Sequence, residues 1–205
     1  MSTTKAVKPT ESPGDSDPFS RLVEALVREG FTTTDEESEW KERGEKTYRR
    51  RERVLFARGE TVFVFIAYPE FSERILKQAV EGITHLHTAK GTLEKAMTVF
   101  QTTTVYVCIV AQEETPHNES LGRYISKIGG AIVIPVILIP EINQVVYPAS
   151  EEKLGIVRPR LEYLQYLIGE RRDAPSMHRQ TLQTFWASAG IVALIALALV
   201  FSMFT

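Results

Sequence analysis

Apolar residues recur along the chain with two different periods, and the periods mark its elements. Asp17 followed by Pro18 is the signature of a helix start, and Phe19, Leu22, Val23, Leu26 and Val27 then fall at helical spacing until Gly30. Residues 32–46 are polar and acidic and predict a loop or a solvated helical turn, although Trp40 within them calls for a packing partner. Two strands are expected next, residues 47–57 and 61–68, joined by a tight turn at Arg58-Gly59. The second contains an unbroken apolar run from Val62 to Ala67, which suits a central strand covered on both faces. Ser72 can cap a helix that carries Ile75, Leu76, Ala79, Val80 and Ile83 on one stripe.

A short helix over residues 92–100 and a buried strand over 104–111 follow, with Cys108 inside the strand. Residues 119–128 read as a helix with Leu121, Tyr124, Ile125 and Ile128 inward, stopped by Gly129-Gly130. Residues 131–139 make a third apolar strand, where Pro135 lacks a ladder donor and so points to an edge or a bulge. A small strand near 145–147 and a helix opened by Pro159, with Leu161, Leu164, Leu167 and Ile168, complete the pattern. Alternating strands and helices predict an α/β fold, a single layered domain with a mixed sheet flanked by helices, over residues 18–150. Residues 1–17 are expected to be a disordered tail, and 151–180 a helix and basic linker.

The pattern changes character after Arg179. Residues 181–205 carry no charged side chain, and as a helix they would span about 37 Å against roughly 30 Å of hydrocarbon. Phe185, Ile191, Leu194, Leu197 and Phe201 belong to the apolar surface, and Trp186 sits near the start, where an indole favours the headgroup level. This predicts one C-terminal transmembrane helix, a tail anchor whose partner is the lipid bilayer. Arg171, Arg172 and Arg179 flank it, and no leader precedes the folded part, so a single-pass membrane protein with its N-terminal domain in the cytoplasm is expected. Ala189, Ala193 and Ala196 fall on one side of the helix and offer a face for helix-helix contact.

Composition narrows the function classes. The 205 residues hold 24 Lys+Arg against 26 Asp+Glu, a net charge of -2, which excludes a uniformly basic nucleic-acid binder. The single cysteine excludes an intramolecular disulfide. No phosphate loop, dinucleotide fingerprint or serine nucleophile elbow is present, and no cofactor or metal site is expected. His85 and His87 could ligate zinc only from an extended segment and with a further ligand such as His117, so they read as structural or surface histidines. Glu113, Glu114, His117 and Glu119 follow a buried strand, a place where α/β folds put ligands, and form a minor candidate site.

The main polar signal of the soluble part is Arg49, Arg50, Arg51, Arg53 and Arg58, a candidate surface for an anion or an acidic partner. In a strand, Arg49, Arg51 and Arg53 share one face and Arg50 the other. The alternative is a solvated strand face balanced by the acidic stretch before it.

The order of elements resembles the restriction-endonuclease-like core, a helix, a three-stranded meander, a helix and a further strand. In that family, active members hold Mg²⁺ with two carboxylates beside a lysine, an acid on one strand and Asp/Glu-x-Lys on the next. Here the first strand offers Arg49, Arg50, Arg51, Glu52 and Arg53, the second offers only Glu60 at its start and Glu70 after its end, and the first lysine beyond them is Lys77 on a helix, so the resemblance implies a core without its catalytic centre. The expected function is a non-catalytic binding or adaptor module, or an accessory subunit, that meets a protein partner at the membrane. A membrane-tethered nucleic-acid-binding domain derived from a nuclease, using the arginine strand, is the alternative, and an enzyme without a recognisable motif is a third.

Overall fold

The computed structural model describes residues 17–33, 46–54, 57–68, 72–88, 101–112, 121–128, 131–148 and 157–175, together with 189, 190, 193, 194 and 197. The first helix, α1 (Pro18–Arg28), starts where the sequence places it. Asp17 accepts a hydrogen bond from the Ser20 backbone N–H at 2.8 Å, and the chain leaves the helix through Gly30 at φ +80°. Strand β1 (Thr32–Thr33) follows, then β2 (Lys46–Val54) and β3 (Ala57–Ala67).

Helix α2 (Glu73–Thr88) is capped by Ser72, whose Oγ accepts from the Ile75 N–H. It buries Leu76, Ala79, Val80 and Ile83 on the expected stripe. Next come β4 (Gln101–Val110), β5 (Ser126–Ile128), β6 (Ala131–Ile139) and β7 (Gln144–Val146), and finally helix α3 (Arg158–Leu167).

Among the described residues seven strands form one mixed sheet in the order β1-β2-β3-β4-β6-β5, with β7 also on β6. β1, β2 and β3 are an antiparallel meander, and β3, β4 and β6 run parallel. β5 and β7 share the outer edge of β6, one on residues 131–133 and the other on 137–139. The Leu138 carbonyl accepts from Ala111 beyond β4, so even-numbered residues of β6 bond inward and odd-numbered ones outward. Pro135 therefore turns its missing donor to the outer edge, into the gap between β5 and β7, where no ladder bond is lost.

Helices cover both faces. α1 and α3 pack on Tyr48, Phe63, Phe65, Tyr106, Cys108 and the even-numbered residues of β6, while α2 packs on Val62, Val64, Ile66, Val105, Val107 and Ile109. The α1 face is aromatic: Phe63 stacks on Tyr106 at 4.5 Å between centroids and meets Phe31 edge-on at 5.5 Å. Such pairs contribute about 0.5–1.5 kcal/mol each beyond the area they bury. Val157, Leu161, Tyr163, Leu164 and Leu167 belong to the same core, so the packed unit includes α3 as well as the stretch up to residue 150.

Two expectations need correction. The pairing of β2 with β3 runs on to Val54 opposite Ala57, so the hairpin does not turn at Arg58-Gly59, and Gly59 is a strand residue opposite Glu52. A turn at Arg58-Gly59 would pair Arg50 with Ala67 and push Tyr48 past the end of the apolar strand. The observed register instead seats Tyr48 opposite Phe63. The expected helix over residues 119–128 does not reach its end: Leu121 is helical, but a 3-10 turn (Gly122–Tyr124) and then β5 follow it. Gly122 is a poor helix former, and the outer edge of β6 rewards an extended chain with ladder bonds. His85 and His87 lie within α2.

The expected tail 1–16, the acidic residues 34–45, the helix at 92–100 and the loop residues Glu113, Glu114, His117 and Glu119 lie outside the described residues. No helix among the described residues is long and apolar enough to cross a membrane. Of the expected anchor only Ala189, Gly190, Ala193, Leu194 and Leu197 are described, and all five are helical. Phe185, Trp186, Ile191, Ala196 and Phe201 are not among them.

Candidate functional site: a polar band across one end of the sheet

The buried polar residues gather in one place. Among the described residues Glu60, Thr61, Thr103 and Thr104 are the polar or charged ones that are buried, and the register sets Glu60 beside Thr103 and Thr61 beside Thr104. β2 extends both rows, with Arg51 opposite Glu60 and Arg50 opposite Thr61. A polar band thus crosses the sheet at the end where β3 and β4 begin, on both faces at once.

On the α1 and α3 face the band is a closed network. Arg50 donates from Nη1 to the Glu29 backbone oxygen at 2.9 Å, to Glu29 Oε2 at 3.2 Å and to the Tyr163 hydroxyl at 3.3 Å. It also pairs with Glu52, and its guanidinium lies 5.8 Å from the centre of the Phe31 ring. The Tyr166 hydroxyl donates to Glu29 Oε1 at 3.1 Å. Glu29 caps the C-terminus of α1, where a carboxylate opposes the helix dipole, so Arg50 and Tyr166 stabilise a charge that the helix alone disfavours.

Burial lowers the pKa of Arg50, but Tyr163, Glu52 and Glu29 outweigh it and raise the pKa above the ordinary value. The Tyr163 hydroxyl is pushed upward mainly by burial, so it remains a neutral donor and acceptor. Nearby, Arg160 Nε donates to Thr104 Oγ1 at 2.7 Å, and the buried Tyr106 hydroxyl donates to the Arg160 backbone oxygen. These contacts fasten α3 to β2 and β4.

The opposite face is more open. Arg49 Nε and Arg51 Nε both approach Glu60 Oε1, at 3.3 and 3.0 Å. The Glu60 side chain is 8% exposed, whereas Arg51 is 73% exposed. The register adds Arg53 and Arg58 to this face as direct cross-strand partners. Two guanidinium groups on one carboxylate leave a net positive charge facing solvent, a chemistry suited to holding an anion.

The arginine strand was legible in the sequence, including the split of Arg49, Arg51 and Arg53 from Arg50. Thr61, Thr103, Thr104, Arg160 and Tyr163 were missed. The run of three threonines before Val105 was the available signal, since polar residues opening an apolar strand mark where the sheet changes character.

Glu60 sits on β3 with Val62 two positions on, and Lys77 on α2 pairs with Glu81 at 3.8 Å. Among the described residues no three His, Cys, Asp or Glu side chains stand together as metal ligands. Cys108 is buried, and desolvation raises its thiol pKa, so it is an unreactive core residue. Compared with family models, with curated proteins and with solved structures, the chain finds no match in any of the three.

Proposed function

We propose that the protein is anchored in a membrane by residues 181–205 and presents its α/β head on the cytoplasmic side as a non-catalytic binding module, an adaptor or accessory subunit that meets its partner through the arginine strand. The observation that carries this reading is that the 25 residues from Thr181 to Thr205 carry no charged side chain. The side chains of Leu194 and Leu197, both in helical positions, are 69% and 55% exposed, whereas a core helix would bury them. The non-catalytic part draws on the polar band, where the carboxylates of Glu29, Glu52 and Glu60 are all engaged by arginines.

Expression of the full chain beside a chain lacking residues 181–205 tests the anchor. The full chain should stay in the membrane pellet through alkaline carbonate extraction, and the shortened one should appear in the supernatant. Release of the full chain by carbonate would sink the reading.

A second reading, a membrane-tethered head derived from a nuclease that binds nucleic acid, draws on the observed order of α1, the β1-β2-β3 meander, α2 and β4. Its signature would be DNA or RNA binding that weakens steeply with salt, as counterion release requires.

A further inference from the structure

The charges of the β2–β3 hairpin are sorted by face. On the side of α1 and α3, Arg50 meets two carboxylates, Glu29 and Glu52. On the other side Arg49 and Arg51 share a single carboxylate, Glu60, and the register places Arg53 and Arg58 on that face as well. Four arginine positions therefore stand against one described glutamate.

One further detail gives the excess a purpose. Arg51 contacts Glu60 through Nε alone, leaving its two terminal nitrogens for a ligand, and the contact orients the exposed guanidinium.

We propose that this face of the hairpin binds a phosphate oxyanion, with Arg51 as the oriented donor and Glu60 and Arg49 as its support, beside positions 53 and 58, which the register sets on the same face. Guanidinium groups match phosphate oxygens in a bidentate way, which lysines would not. The phosphate is either free or the headgroup of an anionic lipid. The proposal rests on reading the arginine strand as a contact surface and not on the anchor.

The test uses the full chain in dodecyl maltoside micelles, titrated by calorimetry at constant ionic strength with inorganic phosphate and, separately, with short-chain phosphatidic acid. Phosphatidylcholine of the same chain length is the blank. Inorganic phosphate should bind, and Arg51→Gln and Arg58→Gln should each weaken it by roughly fivefold. Arg158→Gln, which removes an exposed arginine on α3, should leave binding unchanged.

Unaltered melting temperatures without phosphate show that the variants fold, and Arg51→Lys, which keeps the charge and loses the fork, should fall between wild type and Arg51→Gln. Competition by phosphatidic acid assigns the site to headgroups, and its failure to compete assigns the site to free phosphate. Absence of phosphate binding, or binding that Arg51→Gln and Arg58→Gln leave intact, overturns the proposal, as does binding of DNA without binding of either phosphate. A chain that fails carbonate extraction yet still binds phosphate refutes the anchor alone.

Discussion

Asp17 does two jobs at one helix end: its carboxylate accepts from the Ser20 N–H, and its Oδ2 takes a further bond from the Ser20 hydroxyl. The backbone hydrogen bond is the main reason its pKa lies below the ordinary carboxylate value. A depressed folded pKa stabilises the fold fully above the unfolded pKa, and the contribution is lost as pH falls through the folded value. Asp17→Ala should therefore cost about 1 kcal/mol near neutral pH in a urea melt, with a difference from wild type that shrinks on acidification. Asp17→Asn keeps the cap and should remove only the pH dependence.

Arg50 and its neighbour Arg51 part company on the same scale. Arg50 is 26% exposed and holds Glu29, Glu52 and Tyr163, so Arg50→Met should cost about 1–3 kcal/mol by leaving those groups without their partner. Arg51→Met, at an exposed ion pair, should cost under about 1 kcal/mol. Equal costs in denaturant melts would show that the two faces of β2 are not divided as described.

Single elements carry the clearest lesson about what the sequence discloses. α1, α2, β6 and α3 were readable because each repeats its apolar period within one contiguous stretch and has a local punctuation mark, such as Asp17-Pro18 or Ser72. β1 and β5 were not, because two or three residues hold no period and become strands only when a distant edge pairs with them. The hairpin misled for a related reason. Glycine is a strong turn signal, but the register is set by Tyr48 finding Phe63 and by the arginines finding Glu60, both longer-range choices.

The same held for the site: the arginine run is local and visible, whereas Thr104 meets Arg160 only after 56 residues of chain have folded. A direct check follows from the register. A Cβ on Gly59 would lie 3.8 Å from Glu52 Cβ, an ordinary contact, and the backbone there is not left-handed. Gly59→Ala should then be neutral or stabilising by up to about 1 kcal/mol. A loss of stability in thermal melts would return the turn to Arg58-Gly59.

At the scale of the whole molecule two solvents are in question. The head buries an aromatic layer beneath α1 and α3 and an aliphatic layer beneath α2, a pair of cores whose described members all lie within residues 17–168. Leu194 and Leu197 take no part in either and stay exposed. Ten Leu, Ile, Val and Phe residues between positions 185 and 204 favour lipid by about 0.3–0.6 kcal/mol each near the bilayer centre, on the order of 3–6 kcal/mol together. An arginine at the centre opposes insertion by about 2.5–3.5 kcal/mol, most of that sum. Leu197→Arg should therefore shift much of the chain from the membrane pellet to the supernatant, whereas Leu197→Ala should leave it in the pellet. The head should keep its melting temperature in both variants, because its core does not include position 197. A fall in that temperature with either substitution would mean that the greasy segment packs on the head, and the anchor reading would fail at its foundation.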